Sequence, residues 1–182
     1  MQRVSIAILA VCIALLIGCS SVHSPERVSL DDFVSYQLQA VPDNWPIQSS
    51  LQLVAVTREN QQQSLLLQSE LQGEQLNLAA LTPQGISLFS MSLLKDGSYT
   101  LEKHIPGLAL YPSHMLADMQ LASWPISTIN KGLDGAFVKA SKQQRIVADA
   151  KGQLMVISYA DNKITINHLR RHYTITIEEI KE

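Results

Sequence analysis

Residues 163–179 read KITINHLRRHYTITIEE, two segments in which apolar and polar residues alternate on either side of a polar turn. Ile164 and Ile166 recur at every second position of the first segment, and Ile175 and Ile177 do the same in the second. Successive side chains of a strand point to opposite faces, so this period predicts an antiparallel hairpin with one buried face and one wet face. The hairpin predicts a mainly β fold.

The same pattern extends outward from this hairpin over most of the chain. Turn sequences separate the apolar runs at Gly73, Gly85 and Gly97, where glycine supplies the positive φ that a tight turn needs. We predict an antiparallel sheet. Its predicted strands are Leu51–Thr57, Ser64–Leu71, Gln75–Leu81, Ile86–Leu94, Ser98–His104, Arg145–Ala148, Gln153–Tyr159, Lys163–His168 and His172–Glu178.

One helix is predicted to interrupt the strands, which makes the fold class mainly β (α+β). It runs from His114 to Ser123, with Ser113 as its N-cap, and Pro125 ends it because the residue before a proline avoids helical angles. A second short turn or helix is predicted at Ser127–Leu133. The apolar stripe of the first helix consists of Met115, Leu116, Met119 and Ala122.

The amino end has the pattern of a lipoprotein signal peptide, residues 1–18. A basic residue, Arg3, precedes an apolar stretch of about 14 residues, too short to span a bilayer as a helix. The run Leu16-Ile17-Gly18-Cys19 is similar to a bacterial lipobox, which predicts an acylated Cys19 as the first mature residue. A plain secretory signal with a coincidental cysteine is the alternative. Cys12 lies in the removed segment, so no intrachain disulfide is expected.

The residues after Cys19 predict where the protein is anchored. Ser20 and Ser21 follow the cysteine, whereas enteric lipoproteins that stay in the inner membrane usually have an Asp there. We therefore expect a lipid anchor in the cell outer membrane, facing the periplasm. Residues 19–27 are predicted to be a lipidated tether, and residues 28–182 to form a single domain.

Composition excludes several classes of protein. The 182 residues are 46% hydrophobic and 16% charged, which excludes intrinsic disorder and a polytopic membrane protein. The formal charge is -2, and the basic residues are spread along the chain, so nucleic acid is not an expected partner.

Motifs for catalysis are missing from the sequence. No H-x-x-H, G-x-S-x-G or glycine-rich phosphate loop occurs, so we expect neither an enzyme nor a bound metal or cofactor. An unrecognised hydrolase, one alternative, needs His114 and Asp118 to converge with a serine.

Methionine is the most informative apolar residue of the predicted core. Its flexible side chain either fills a core or lines a cleft for ligands of varied shape. The first possibility gives an interaction or assembly module with a filled core, tethered at the outer membrane. The second gives a cleft for hydrophobic cargo, for which we predict Phe89, Met91, Leu93, Met115, Met119 and Trp124 as lining residues.

Two stretches of sequence resemble a known family. Leu76–Gly85, ending in LTPQG, and residues 116–126, LADMQLASWPI, resemble small bacterial lipoproteins encoded with aryl polyene biosynthesis clusters. That family is similar to the outer-membrane lipoprotein receptor LolB and its periplasmic carrier LolA. The resemblance implies an incomplete antiparallel β-barrel covering one or two short helices. It also implies an acyl or polyene cargo and a LolA-like carrier as partner.

A turn of LolB-like receptors presents an exposed leucine that helps to insert lipoproteins into the membrane. The matching turn here is Thr82-Pro83-Gln84-Gly85, with Gln84 at the position of that leucine, and Leu71 is a competing candidate for the exposed tip. A glutamine cannot gain the roughly 2 kcal/mol that burial of a leucine side chain provides. The resemblance therefore implies cargo binding, whereas Gln84 departs from the residue that the insertion step uses.

Overall fold

A computed structural model describes residues 21–43, 45–106 and 111–181 of the chain. The predicted signal peptide and the predicted acylation site, Cys19, lie outside the described residues. Within the described ranges, neither helix has the length and apolar character needed to cross a membrane.

The described chain forms fourteen strands and two helices. The helices are α1 (Pro112–Ser123) and α2 (Ile126–Gly132). The strands are β1 (Ser21–His23), β2 (Arg27–Ser29), β3 (Ser35–Gln37), β4 (Ser49–Arg58), β5 (Gln61–Gln72), β6 (Gln75–Leu81), β7 (Ser87–Leu93), β8 (Tyr99–Lys103), β9 (Leu133–Asp134), β10 (Phe137–Ala140), β11 (Gln144–Asp149), β12 (Gly152–Ala160), β13 (Lys163–His168) and β14 (Tyr173–Glu179).

Eleven of the strands form one antiparallel sheet in the order β1-β8-β7-β6-β5-β4-β14-β13-β12-β11-β10. Its two halves are joined by the long-range pairing of β14 with β4, which places Tyr173 opposite Arg58. The edge strands β1 and β10 do not pair with each other in the described part of the chain, so the main sheet stays open. The remaining strands form a small sheet, β2-β3-β9. The prediction of a mainly β fold with two short helices is confirmed.

The alternation of apolar residues and the turn sequences predict the positions of the long strands well. All nine predicted strands are present, and β6 and β13 have the predicted bounds. The predicted cap of the first helix is wrong, because α1 begins at Pro112 and its N-cap is Tyr111. Proline suits the first helical turn, where its missing N–H would have had no helical partner.

Two parts of the predicted tether are strands. Ser21–His23 pairs with β8 at the edge of the main sheet, and Arg27 begins β2 in the small sheet. The stretch predicted to be a lipidated tether, residues 19–27, thus includes positions that pair in both sheets. A three-residue strand is too short to show the alternation from which strands are recognised.

Side chains from elsewhere in the fold hold both ends of α1. At the amino end, the Ser113 hydroxyl donates to the Glu26 carboxylate at 3.1 Å, and a negative charge there is favoured by the helix dipole. At the carboxyl end, Arg145 of β11 donates to the main-chain oxygens of Leu121 at 3.0 Å and Trp124 at 2.7 Å. These bonds satisfy carbonyls that a helix end leaves without partners.

The carboxyl-terminal half of α1 is tied to β3 of the small sheet and to the residues after it through Gln120, which is fully buried. Its Oε1 accepts from the Tyr36 hydroxyl and from the main-chain N–H of Gln39, both at 3.0 Å. Its Nε2 donates to the main-chain oxygen of Gln39, also at 3.0 Å. A buried polar group without a partner costs about 1–3 kcal/mol, and here each group is paired. The helix is thus fixed at three points along its length.

Candidate hydrophobic-ligand site

A cavity of about 1250 Å³ lies between α1 and the facing side of the main sheet. Small-molecule sites commonly have volumes of about 300–1,000 Å³, so this space is large for a chain of this size. Most of its wall is apolar. The apolar lining residues are Val54, Val56, Leu65, Leu67, Leu88, Phe89, Pro112, Met115, Met119, Ile175 and Ile177.

Strand register builds the sheet side of the cavity. Val54 lies between Leu65 of β5 and Ile177 of β14, and residues directly opposite each other in antiparallel strands share a face. One pair further along, Val56 lies opposite Ile175. The alternation visible in the sequence at β14 therefore becomes a continuous apolar surface across three strands.

Helix spacing builds the opposite wall. Met115 and Met119 are four residues apart, and so are His114 and Asp118, which places each pair on the side of α1 that lines the cavity. The methionines are only partly buried, because their side chains border the cavity. Their flexible thioethers can adapt to ligands of different shapes.

The predicted cleft residues divide into two groups. Phe89, Met115 and Met119 line the cavity. Met91, Leu93 and Trp124 do not line it; they are fully buried in the packed core. Met91 and Leu93 share a sheet face with Phe89 but lie further along β7, opposite Leu78 and Leu76, where the core is filled.

The cavity reaches solvent at one end of the main sheet, which we call the mouth. The mouth is formed by the β4–β5 turn, residues 59–60, and the β13–β14 turn, residues 169–172, together with the start of α1. The exposed lining residues all lie there. They are Arg58, Glu59, Gln61, Gln63, Tyr111 and His172.

A carboxyl group is buried in the wall of the cavity. Asp118 is 5% exposed, and burial raises its pKa to about 7. The Tyr173 hydroxyl donates to its carboxylate at 3.3 Å, which opposes the effect of burial on the pKa. Burial also raises the pKa of Tyr173 itself. Polar groups in this wall can therefore present a proton to a ligand.

His114 is the other titratable group on this side of α1. Burial lowers its pKa, and its Nδ1 atom has no hydrogen-bond partner among the described residues. His114 forms a hydrogen bond with the main chain of Ser29. Within the same ranges no hydrogen bond joins it to Asp118 or to a serine hydroxyl, so the hydrolase alternative lacks the contact between base and nucleophile. The described residues also contain no cluster of His, Cys, Asp or Glu that could hold a metal ion.

The two predicted membrane-facing residues lie at opposite ends of the sheet. Gln84 is exposed in the β6–β7 turn, at the same end as the mouth, and the Gly85 N–H closes that turn on the Thr82 oxygen at 2.8 Å. Leu71 belongs to β5, opposite Leu76 at the other end, and is half-buried against the core. Leu71 is therefore not an exposed tip.

Sequence reasoning did not identify Arg58 or the buried face of β4 and β5 as part of the site. Val54, Val56 and Arg58 occupy alternate positions of one strand, so the period could have placed them on one face. Alternation alone does not show which face of the sheet lies against α1. Only the packing of α1 shows which face encloses a cavity.

The fold and this site define a class of protein. In this class an open antiparallel sheet and a short helix enclose a preformed apolar cavity. The chain belongs to the family described as a protein of unknown function (DUF3261), which matches residues 49–181. That range includes every strand and helix that lines the cavity. A comparison with curated proteins finds no match.

Proposed function

We propose that this protein is an outer-membrane-anchored periplasmic lipoprotein that binds acyl or polyene hydrophobic cargo in lipid or lipoprotein trafficking, as LolB-like proteins do. The observation that carries the proposal is the largely apolar cavity of about 1250 Å³, whose exposed lining residues lie at the mouth. A space with apolar walls fits a hydrocarbon chain better than a compact polar metabolite.

Burial alone supplies the binding free energy in this proposal. Each methylene removed from water contributes about 0.8 kcal/mol, so on the order of ten buried methylenes contribute about 8 kcal/mol before the costs of association. No covalent step is involved, and no enzyme activity, metal or cofactor is proposed. An interaction module with a filled core is the weaker proposal, because none of the residues that the structure describes fills the space beside Met115 and Met119.

The anchor and the partner are also part of the proposal. Acylated Cys19 attaches the protein to the outer membrane, and a LolA-like periplasmic carrier delivers the cargo to it. Radiolabelled palmitate should label the wild-type protein in the outer-membrane fraction, whereas Cys19→Ser should lose the label because the acceptor thiol is absent. Equal labelling of both proteins would rule out this anchor.

Native mass spectrometry tests cargo binding directly. The mature chain, residues 19–182 with Cys19→Ser, is secreted into a bacterial periplasm through a plain signal peptide and purified without detergent. We expect a stoichiometric adduct that organic solvent extracts as an acyl or polyene molecule. A clean protein mass that also ignores added fatty acid would contradict the proposal and favour the tethered interaction module.

A further inference from the structure

We infer that the cargo is an amphiphile with an anionic headgroup, whose head lies between Arg58 and Arg171 at the mouth while its hydrocarbon part lies in the cavity. This inference rests on the proposed function and names the class of lipid. It follows from the positions and ion pairing of the arginines around the mouth.

Arg58 lies where the apolar wall ends. Val54, Val56 and Arg58 alternate along β4, so all three side chains point to the cavity side of the sheet, and all three line the cavity. Its cross-strand neighbour on β14 is Tyr173, whose hydroxyl reaches inward to Asp118. A cationic group therefore follows directly on a row of apolar side chains.

Arg171 provides a second cation from the neighbouring turn. Its main-chain N–H donates to His168 Nδ1 at 3.2 Å, which fixes the turn, and its guanidinium donates to the Ser29 hydroxyl at 3.3 Å. Arg171 also lines the cavity. Both Arg58 and Arg171 act electrostatically on Tyr173, so the two charges face the same part of the mouth.

The ion pairing of the arginines differs sharply. Arg170, which also lines the cavity, is held by two carboxylates, Asp31 and Asp149, each at 2.6 Å. Neither Arg58 nor Arg171 has a carboxylate within 4.0 Å in the part of the chain that the structure describes. Two cations at the mouth are thus left without a counter-charge.

Acidic groups at the mouth do not balance this excess. Among the described lining residues, Glu59 is the one exposed carboxylate, and Asp118 is buried with a pKa that burial raises to about 7. Clefts lined by one sign of charge with apolar walls concentrate ligands of the opposite sign. The forked guanidinium donors match the oxygens of a carboxylate or a phosphate.

Two lysophospholipids with the same palmitoyl chain test the inference. Lysophosphatidylglycerol carries a net negative head, whereas the head of lysophosphatidylcholine is neutral overall. Titration calorimetry below the micelle concentration should give a Kd at least about 10-fold lower for the anionic lipid with wild-type protein. In Arg58→Gln/Arg171→Gln the two Kd values should come within about 2-fold of each other, through weaker binding of the anionic lipid.

Two further variants complete the test. Lys142→Gln/Lys163→Gln removes the same number of charges at the opposite end of the sheet and should keep the preference. Arg58→Lys/Arg171→Lys keeps the charges at the mouth and should retain most of the preference even if the glutamine variant folds poorly. Equal binding of both lipids by wild type, or a preference that survives in a folded Arg58→Gln/Arg171→Gln, overturns the inference and leaves the proposed function intact. Failure of both lipids to bind overturns the proposed function as well.

Discussion

Met119→Trp is expected to weaken the binding of a fluorescent fatty acid by at least about 10-fold. Met119 projects from α1 into the cavity opposite the sheet wall, so an indole at this position occupies space that the cargo chain needs. The open volume beside Met119 accommodates the larger side chain, and the fold is expected to survive. The measurement is a fluorescence titration, with a thermal melt to show that the variant is folded.

A matched variant shows whether weaker binding comes from a blocked cavity or from a general effect of an added tryptophan. Gln68 is exposed on β5, next to Leu67, and alternation places it on the face of the sheet away from the cavity. Gln68→Trp should therefore bind the fatty acid as wild type does. Unchanged affinity in folded Met119→Trp would show that the cargo does not enter this cavity.

Asp118→Asn is expected to change how stability depends on pH. Burial raises the pKa of Asp118 from 3.8 to about 7 in the folded protein, so its contribution to stability falls as pH rises between these values. Buried His168 has the opposite effect, because its pKa falls from 6.5 to about 4 and stability is lost as pH falls through this window. His114, whose pKa burial also lowers, acts in the same direction as His168.

Between pH 4 and 6.5 the opposing contributions of Asp118 and His168 largely cancel in the wild-type protein. Asparagine does not ionise, so the variant should gain about 3 kcal/mol of unfolding free energy from pH 4 to 6.5. At pH 8 it should exceed wild type by roughly 4 kcal/mol, and at pH 4 the two proteins should be nearly equal. Urea unfolding followed by tryptophan fluorescence at pH 4, 6.5 and 8 measures these differences.

A difference between Asp118→Asn and wild type that is constant across pH would mean that the pKa of Asp118 is the same in the folded and unfolded protein. His168→Gln provides the complementary variant. It removes the opposing group, so its stability should fall as pH rises from 4 to 6.5, provided that Asp118 keeps its raised pKa.

The fold could be read from the sequence wherever a strand is long enough for alternation to be visible. Ile164 and Ile166, like Ile175 and Ile177, mark one face of a strand because each is followed by a polar residue. The short strands β2, β3 and β9 offer no such period. Their positions depend on Tyr36 and Gln39 meeting Gln120, a contact across more than eighty residues that no local pattern encodes.

The candidate site was predictable only in part for a related reason. Phe89 and Leu93 have the same residue class, the same strand and the same face, yet Phe89 borders the cavity and Leu93 is enclosed by core. The volumes of side chains from several elements decide which space stays empty. The alternation pattern of a single strand does not contain this information. Arg58 was missed because a single charged residue at the end of a strand is common. It becomes informative only when the structure shows which of the neighbouring arginines are ion-paired.

The pairing of β1 with β8 determines at which end of the main sheet the chain enters β1. Ser21 lies opposite Leu101 and His23 opposite Tyr99, so the chain enters β1 from the end of the sheet that carries the mouth. Only Ser20 separates the proposed acylated Cys19 from that strand, which limits the spacing to on the order of 7 Å. In the proposed function, this short spacing places the mouth against the outer-membrane leaflet, so that a cargo molecule can pass between cavity and bilayer without crossing water. On this proposal the protein exchanges cargo at a fixed position on the membrane and does not carry it across the periplasm.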